Sequence, residues 1–420
     1  MRFKNIVSLL LVLCFLSSCA FSGNTDDITD VPTSATVSDT ETVTEASSSS
    51  EPPAETEPEV TFPNYTKDPP EKWADSVYTE YDRLNVIRKN IYAEIYNSVT
   101  SGENIFKFRG VASTSQESVF NAFNAVMLDH PELFYLKGSY IFKKDRDRYG
   151  EFLNFVCSID KGEEVEKKKK ELKDAVSEIV FPATFLETDY EKVQYVHNYI
   201  LMNCSYDYDA ADRVLGSAES GKLVFESAST AYGCLVEGKA ICTGYAAALQ
   251  LVLQSLGIPC GRVFGTVGDV GHRWNWVKID GKYCYIDPTG NDVSYDEQDM
   301  GIVLYDYFCI GEERLLMSHE LLEEEYKYFI PESTSDDFDP LRRNGLYFET
   351  YDFETVRAAL NSYYQDTNRI DMRFGSEEVC QQALNDLINN GRFWEIECVG
   401  YENVQYLVGG SKAYMCMLLY

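Results

Sequence analysis

The sequence predicts an α+β fold that begins only after about 70 residues, and three observations support this prediction. From Trp73 onward, segments with helical periodicity alternate with short β-rich segments. In the centre of the chain, the dipeptide Asp280-Gly281 lies between two β-rich runs and is a strong hairpin signal. With 420 residues, the chain is long enough for two or three domains with a sizeable core.

The first 18 residues have the pattern of a secretory signal peptide. Arg2 and Lys4 precede an apolar run from Ile6 to Leu16 that is too short to span a bilayer. The run ends in Leu16-Ser17-Ser18-Cys19, which resembles the bacterial lipobox. We therefore expect lipidation of Cys19 and anchoring at the extracytoplasmic face of a bacterial cell membrane. The alternative is an ordinary signal peptide whose apolar run ends near a cysteine.

Residues 19–72 are predicted to be a disordered acidic tether. This segment is rich in Ser, Thr and Pro, and between Phe21 and Pro70 it contains eleven Asp or Glu residues and one Lys. Such a composition cannot bury enough apolar surface to offset the entropy of ordering. The whole chain carries 68 acidic and 37 basic residues, a formal net charge of −31. This charge repels phosphate backbones, so we expect no nucleic-acid partner.

Residues 73–185 are predicted to form an N-terminal α+β region. Apolar periodicity predicts helices over 74–99, 116–130 and Glu163–Ile179, with strands around 138–142 and 152–159. The next helix opens with a capping box, Thr188 and Glu191. His197 lies on its apolar face and is predicted to be a core histidine. No cysteine or carboxylate pattern around His130 or His319 indicates chemistry.

Residues 340–420 are predicted to form a small C-terminal α+β module without catalytic residues. Polar residues after about Pro331, through Ser333–Asp337, suggest a linker before it. The module reads, in order, as strand Tyr347–Thr350, helix Phe353–Tyr364, strand Ile370–Phe374, helix Ser376–Asn389 and two terminal strands.

Cys242 is predicted to lie at or just before the start of a helix. It follows a glycine-containing loop and precedes the apolar pattern Ala246–Leu256, which Gly257-Ile258-Pro259 ends. The positive end of a helix dipole favours a thiolate over a thiol. The free N–H groups of the first turn are suited to bind an oxyanion.

The hairpin signal predicts that His272 and Asp287 share one face of a sheet. A turn centred on Asp280-Gly281 pairs 279 with 282, and continued outward it pairs Trp274 with Asp287. His272 and Asp287 are then diagonal neighbours, roughly 7–8 Å apart at the backbone. An aspartate at this distance can orient the imidazole and stabilise its protonated form.

These motifs, taken in order, resemble the transglutaminase-like superfamily. The matching residues are Gly238 through Cys242 to Tyr245-Ala246, then His272-Arg273-Trp274-Asn275, and finally Asp287-Pro288-Thr289. The resemblance implies a papain-like core over residues 186–330. It also implies that Cys242 is the nucleophile, His272 the general base and acid, and Asp287 the orienting carboxylate. The sequence departs from the family pattern at Cys234, a second cysteine, and at Arg273, where small residues are common.

Three aromatic residues are further candidates near such a site. Tyr206 and Tyr232 are candidate oxyanion donors, and Trp274 either floors a substrate cleft or packs in the core. Most of the remaining cysteines sit in apolar patterns and are predicted to be small buried residues: Cys157, Cys284, Cys309, Cys398 and Cys416. There is no Cys-x-x-Cys and no EF-hand spacing, so neither a metal nor another cofactor is predicted.

Two classes of function follow from these observations. The first is an extracytoplasmic cysteine enzyme that acts on peptide or protein amide bonds through a thioester, either as a protease or amidase or as a transamidase. The acidic surface would attract amine acceptors, which weakly favours transamidation. The second is a catalytically idle binding or scaffold lipoprotein that uses the same fold.

Overall fold

The computed structural model of this protein describes residues 77–109, 115–219, 224–295, 298–322, 328–332, 334–364, 368–397 and 403–420. The predicted signal peptide, the acidic tether and Cys19 lie outside these ranges. Helices and strands alternate through the described chain, which confirms the predicted α+β fold.

The elements are numbered here in chain order. The helices are α1 Thr79–Arg83, α2 Val86–Thr100, α3 Gln116–Asp129, α4 Glu163–Ala183, α5 Asp189–Asn203, α6 Tyr208–Glu219, α7 Cys242–Ser255, α8 Glu312–Leu315, α9 Pro340–Arg343, α10 Phe353–Tyr363 and α11 Glu377–Leu384. The strands are β1 Ile105–Arg109, β2 Leu136–Asp147, β3 Gly150–Ile159, β4 Ser205–Tyr206, β5 Lys239–Ala240, β6 Cys260–Val267, β7 Val270–Ile279, β8 Lys282–Ile286, β9 Asp292–Tyr295, β10 Gln298–Val303, β11 Phe308–Ile310, β12 His319–Leu321, β13 Tyr347–Phe348, β14 Arg369–Phe374, β15 Val404–Val408 and β16 Tyr414–Leu419.

The N-terminal region packs α1, α2 and α3 with an antiparallel sheet of order β1-β3-β2. The predicted single helix over 74–99 is wrong in one respect, because it is divided into α1 and α2. Asn85 causes the break: its side chain accepts a hydrogen bond from the backbone N–H of Arg88 at 3.0 Å and so begins a new helix. The strands predicted around 138–142 and 152–159 are confirmed and are longer than predicted.

The central sheet has the strand order β11-β8-β7-β6-β12, and every neighbouring pair is antiparallel. Alternate residues of β7 face opposite sides. Val277 packs with α5 and α7, whereas Trp276 packs with the N-terminal region. The capping box of Thr188 and Glu191 opens α5 as predicted. The sheet thus separates two apolar clusters, and α7 lies in one of them.

The C-terminal module is close to the prediction. Its sheet has the order β13-β14-β16-β15, and α10 and α11 contribute to its apolar cluster. The guanidinium of Arg373 on β14 is fully buried between two carboxylates that precede the module, Asp339 at 2.7 Å and Asp306 at 3.4 Å. This arrangement fixes the module to the preceding part of the chain.

The segment predicted to be a linker is held by hydrogen bonds. Thr334 accepts a hydrogen bond from the backbone N–H of Glu312 at 2.6 Å, and the N–H of Ser335 donates to the carbonyl of Tyr283 at 2.8 Å. These bonds tie the segment to β8 and α8, so it follows the central sheet.

The nine cysteines within the described ranges are buried and form no disulfide with one another. This confirms the prediction of small buried residues for Cys157, Cys284, Cys309 and Cys416, while Cys398 lies outside the described residues. Among the described helices, none combines the length and the apolar character needed to cross a membrane.

Candidate active site

Cys242 is the first residue of α7, and its side chain is buried. Gly244 explains how the helix start packs so closely, because a Cβ at this position would lie 2.3 Å from the carbonyl oxygen of Ala228. The backbone N–H groups of Gly244 and Tyr245 both donate to the carbonyl of Ile241, at 2.8 and 3.1 Å. The amides of Cys242 and Thr243 precede them and have no acceptor within the helix. The thiol therefore lies at the positive end of a long buried helix.

The β7–β8 hairpin places His272 and Asp287 together. Its register is the one expected from the Asp280-Gly281 turn, with Ile279 opposite Lys282 and Asn275 opposite Ile286. Beyond Ile286 the chain leaves β8. Asp287 remains on the same face, and its Oδ2 lies 2.8 Å from Nε2 of His272.

His272 connects the thiol to the carboxylate. Its Nε2 is engaged with Asp287, so the other ring nitrogen, Nδ1, is left for the hydrogen bond between His272 and Cys242. The Asp287 side chain is almost fully buried, and its second oxygen accepts the N–H of Thr289 at 3.0 Å. The imidazole thus lies between the two groups that the sequence paired with it.

The electrostatics of this group favour a thiolate and an imidazolium. Burial alone would raise the pKa of Cys242, but the hydrogen bond and charge of His272, with Arg273 nearby, lower it below the ordinary thiol value. Burial opposes protonation of His272, yet Asp287 and Cys242 raise its pKa to about 10. Burial likewise opposes ionisation of Asp287, but His272 and His319 hold the pKa of this carboxyl well below its usual range.

His319 is the residue of this site that the sequence did not reveal. Its Nε2 lies 3.2 Å from the same Oδ2 of Asp287, and its Nδ1 lies 2.9 Å from the hydroxyl of Ser318. It lies 32 residues after Asp287 on β12, a strand of three residues at the edge of the sheet. No spacing motif in the sequence marks such a residue. The expectation that His319 has no part in the chemistry missed its contact with Asp287, because this contact arises from strand pairing alone.

The other histidines have structural partners. His197 is fully buried and is hydrogen-bonded to Asn198 and Asn291, both at 3.0 Å, as expected for a core histidine. Burial lowers the pKa of His197 to about 4. His130 is buried too, and its ring nitrogens contact the hydroxyl of Tyr92 at 2.7 Å and a carboxylate oxygen of Glu132 at 2.8 Å.

The three aromatic candidates occupy different places. Trp274 is fully buried, with its ring stacked at 6.0 Å from that of His272, so it packs behind the histidine. The hydroxyl of Tyr232 donates to Glu171 at 2.7 Å. Tyr206, on β4, pairs with Ala240, two residues before Cys242. An oxyanion role for either tyrosine stays a prediction.

His272, Asp287 and His319 are also a potential metal-binding group. Their ligand atoms all lie within 4.8 Å of one another. Nε2 of His272 and Nε2 of His319 lie 2.8 and 3.2 Å from Oδ2 of Asp287, and these are hydrogen-bond distances. The geometry is therefore that of a carboxylate shared by two imidazoles.

Part of the chain is similar to known proteins. Residues 181–288 match the model of the transglutaminase-like superfamily. No curated protein matches the chain. A solved structure described as a TGase has 17% identity and a TM-score of 0.27, over 37% of this chain and 46% of that chain.

Two further solved structures are similar to the chain. A provisionally assigned cysteine protease from Cytophaga hutchinsonii has 16% identity and a TM-score of 0.21, over 36% of this chain and 64% of that one. A provisionally assigned protease from Parabacteroides distasonis ATCC 8503 has 16% identity and a TM-score of 0.22, over 36% of each chain. This chain thus spans less than two thirds of each of the three proteins.

The matched segment contains the whole Cys242, His272 and Asp287 group and ends one residue after the aspartate. It includes the helix that begins at the cysteine and the hairpin that carries the other two residues. Residues 181–288 of this chain are thus similar to the transglutaminase-like superfamily.

Proposed function

We propose that this protein is a cysteine enzyme that cleaves or exchanges peptide or protein amide bonds through a thioester on Cys242. The observation that supports this most directly is the partly buried His272, which is hydrogen-bonded to Asp287 on one side and to Cys242 on the other. A thiolate, an imidazolium and an orienting carboxylate in this order are what acyl transfer by a thiol requires.

The first half-reaction forms the thioester. The thiolate sulfur attacks the amide carbonyl carbon, and the carbonyl π electrons move to oxygen. The N–H groups of Cys242 and Thr243 at the start of α7 are suited to stabilise that oxyanion. When the oxyanion collapses, the C–N bond breaks, and the leaving nitrogen takes the proton from His272.

The second half-reaction releases the acyl group. Water or an amine attacks the thioester carbonyl and gives its proton to the now neutral His272. The C–S bond then breaks and restores the thiolate–imidazolium pair. Hydrolysis and transamidation therefore share every residue proposed here and differ only in the resolving nucleophile.

The enzyme is proposed to work outside the cytoplasm on a lipid anchor. The support is in the sequence, where a positively charged start and an apolar run precede a lipobox-like tetrad that ends in Cys19. Metabolic labelling with a palmitate analogue tests this. The wild-type chain should incorporate the label and Cys19→Ala should not, and equal labelling of both would refute the anchor.

Alkylation kinetics test the proposed chemistry directly. The rate of iodoacetamide modification of Cys242, followed by peptide mass spectrometry against pH, should show an apparent pKa below the ordinary thiol value. In His272→Ala the apparent pKa should rise, because both the hydrogen bond and the positive charge are lost. Cys234, which is buried and whose pKa burial raises well above the ordinary value, is an internal control that should react slowly in both proteins.

Turnover assays complete the test. Cys242→Ala should abolish release of ammonia or of a peptide product from glutamine-containing peptides, with and without an added amine. An unshifted, slow alkylation profile in both proteins would contradict the enzyme proposal and favour a binding lipoprotein.

A further inference from the structure

Three side chains of the candidate site have the composition of a transition-metal site. One ring nitrogen of His272, one carboxylate oxygen of Asp287 and one ring nitrogen of His319 all lie within 4.8 Å of one another. Among the residues that the structure describes, no other three His, Cys, Asp or Glu side chains bring their ligand atoms this close together. Two imidazoles and one carboxylate suit zinc and neighbouring transition metals better than calcium or magnesium.

The spacing of the three atoms is close to that of a zinc site. Zinc bonds of about 2.0–2.2 Å at tetrahedral angles keep neighbouring ligand atoms about 3.3–3.6 Å apart. Oδ2 of Asp287 lies 2.8 Å from Nε2 of His272 and 3.2 Å from Nε2 of His319. A metal ion can therefore replace the two bridging protons once each nitrogen moves away from this oxygen by less than about 1 Å.

The groups around these ligands are those that commonly orient metal ligands. A histidine that binds a metal through one nitrogen usually donates a hydrogen bond from the other. Nδ1 of His319 lies 2.9 Å from the hydroxyl of Ser318, and the second oxygen of Asp287 accepts the N–H of Thr289 at 3.0 Å. Both buried ligands are thus already held by a partner outside the group.

An ion can reach the group from the side of His272. The side chain of His272 retains 12% of its exposed surface, whereas the side chains of Asp287 and His319 retain 1% each. The two buried ligands therefore lie behind the one that solvent reaches, and burial protects a bound ion from exchange.

We propose that Zn²⁺ or a related transition-metal ion binds His272, Asp287 and His319 and thereby inhibits the reaction at Cys242. Binding removes the proton from Nε2 of His272 and shifts the proton of His319 from Nε2 to Nδ1, where the oxygen of Ser318 accepts a hydrogen bond from it. One proton is released for each ion that binds. The binding does not depend on the proposed function, whereas the inhibition rests on it.

The inhibition follows from the nitrogen that the ion occupies. Acyl transfer requires the imidazolium form of His272, which gives a proton from Nδ1 to the leaving nitrogen. With a metal ion on Nε2 the ring cannot carry two protons, and its remaining N–H is a much weaker acid than an imidazolium. Asp287 is bound to the ion and no longer stabilises the protonated ring. A chelator that removes the ion restores the imidazolium.

Cobalt absorption tests the binding directly. Co²⁺ takes the place of Zn²⁺ in tetrahedral sites and has intense visible bands there. The full-length wild-type chain should show these bands when it binds one equivalent of Co²⁺, and added Zn²⁺ should remove them. The full-length Cys242→Ser variant should bind Co²⁺ equally tightly, because the thiol is not one of the ligands.

Three variants locate the ion by competition of Zn²⁺ with Co²⁺. His319→Gln removes a ligand and should weaken Zn²⁺ binding about 100-fold or more, since loss of an outer partner alone costs roughly 10–100-fold. Ser318→Ala removes such an outer partner and should weaken Zn²⁺ binding about tenfold. His130→Gln is the matched control and should leave the affinity unchanged. His130 is also buried and lies 2.8 Å from a carboxylate oxygen of Glu132, but it is outside the group.

Turnover assays test the inhibition. Saturating Zn²⁺ should lower wild-type turnover of a glutamine-containing peptide about 100-fold or more, the usual contribution of a general acid, and EDTA should restore it. His319→Gln should keep its own metal-free rate at the same Zn²⁺ concentration. Ca²⁺ and Mg²⁺ should inhibit neither protein, because these ions prefer oxygen ligands.

The proposal is overturned if the wild type binds no Co²⁺, if Cys242→Ser abolishes binding, or if His319→Gln binds Zn²⁺ as tightly as the wild type. Equal inhibition of the wild type and His319→Gln by Zn²⁺ would overturn it too, because the ion would then act elsewhere. Tight binding without a change in turnover would overturn the inhibition. If no substrate is turned over even with EDTA, the proposed function fails while the binding results stand, so the two failures are distinguishable.

Discussion

Nε2 of His319 donates a hydrogen bond to Oδ2 of Asp287 at a distance of 3.2 Å. The same oxygen also accepts a hydrogen bond from His272. Because an ionised carboxylate only accepts, Nε2 of His319 must carry a proton. In the neutral ring Nδ1 then accepts from the Ser318 hydroxyl, which in turn accepts from the hydroxyl of Tyr307, 2.9 Å away. In this series of hydrogen bonds, which runs from Tyr307 through Ser318 to His319, each group donates toward Asp287. His319 is therefore placed to keep the Asp287 carboxylate ionised and to fix its position.

Replacing His319 should alter the titration of the thiol. Without this donor the negative charge of Asp287 is less stabilised. We therefore expect kcat of His319→Ala to fall about tenfold, because the free energy of one hydrogen bond to a charged group corresponds to a change in rate of about that size. The measurement is the pH profile of Cys242 alkylation, because a purely structural role would leave the apparent pKa unmoved. His319→Gln retains an N–H donor and should recover part of the loss. Wild-type kinetics and an unshifted profile in His319→Ala would contradict the role.

Gly265→Ala should reproduce part of that effect from a distance. A Cβ on Gly265 would lie 2.1 Å from the backbone oxygen of Glu320 and 2.2 Å from the Trp274 ring, so β12 must move away from β6. We expect a loss of about 1–3 kcal/mol in unfolding free energy and an alkylation profile shifted as in His319→Ala. Gly216→Ala, at an exposed helix position with nothing within 4 Å, is the control and should be neutral or stabilising. An unchanged alkylation profile in Gly265→Ala would show that the position of β12 does not affect the titration of Cys242.

Asp287→Asn should uncouple the pair formed by Cys242 and His272. The amide cannot stabilise the imidazolium, so the pKa of His272 should fall from its value of about 10, and the apparent pKa of the thiol should rise. Activity in the wild type should therefore be present above the lowered thiol pKa and lost as pH rises through the histidine pKa. In Asp287→Asn this pH range should narrow from both sides, and kcat should fall about 10²-fold or more. Full activity with an unchanged pH profile would exclude Asp287 from the mechanism.

Arg373→Met should unfold the protein more easily. It leaves Asp306 and Asp339 buried without their shared cation, and breaking a buried pair in this way costs about 3–5 kcal/mol. Urea denaturation measures the change. Lys282→Met removes the cation of an exposed pair with Asp337 and should cost no more than about 1 kcal/mol. Similar losses of unfolding free energy in the two variants would show that burial does not determine how much the ion pairs of Arg373 contribute to stability.

The sequence was informative wherever structure is local. The capping box at Thr188, the hairpin turn at Asp280-Gly281 and the order of elements after Tyr347 follow from neighbouring residues, and all are present in the structure. The division between α1 and α2 was missed because apolar periodicity continues across Asn85, although that residue favours a helix start.

Contacts between distant segments could not be predicted in the same way. His319 reaches Asp287 through pairing of β12 with β6, and no periodicity records such a pairing. Arg273 was visible only as a departure from a family pattern. Its setting, a cavity shared with Asn124 on α3 and Arg262 on β6, depends on how the N-terminal region packs against the central sheet.

The supports of Asp287 extend beyond the segment that resembles a known family. That segment ends at residue 288, yet the N–H of Asp287 donates to the carbonyl of Tyr307, and His319 follows later still. The guanidinium of Arg373 in turn donates hydrogen bonds to the backbone carbonyls of Tyr305 and Asp306, at 2.6 and 2.8 Å. A fragment cut at the edge of detectable similarity would keep all three reacting groups and lose the scaffold that aligns them. A core of this kind that is transplanted into another protein should therefore include residues beyond the segment that sequence similarity identifies.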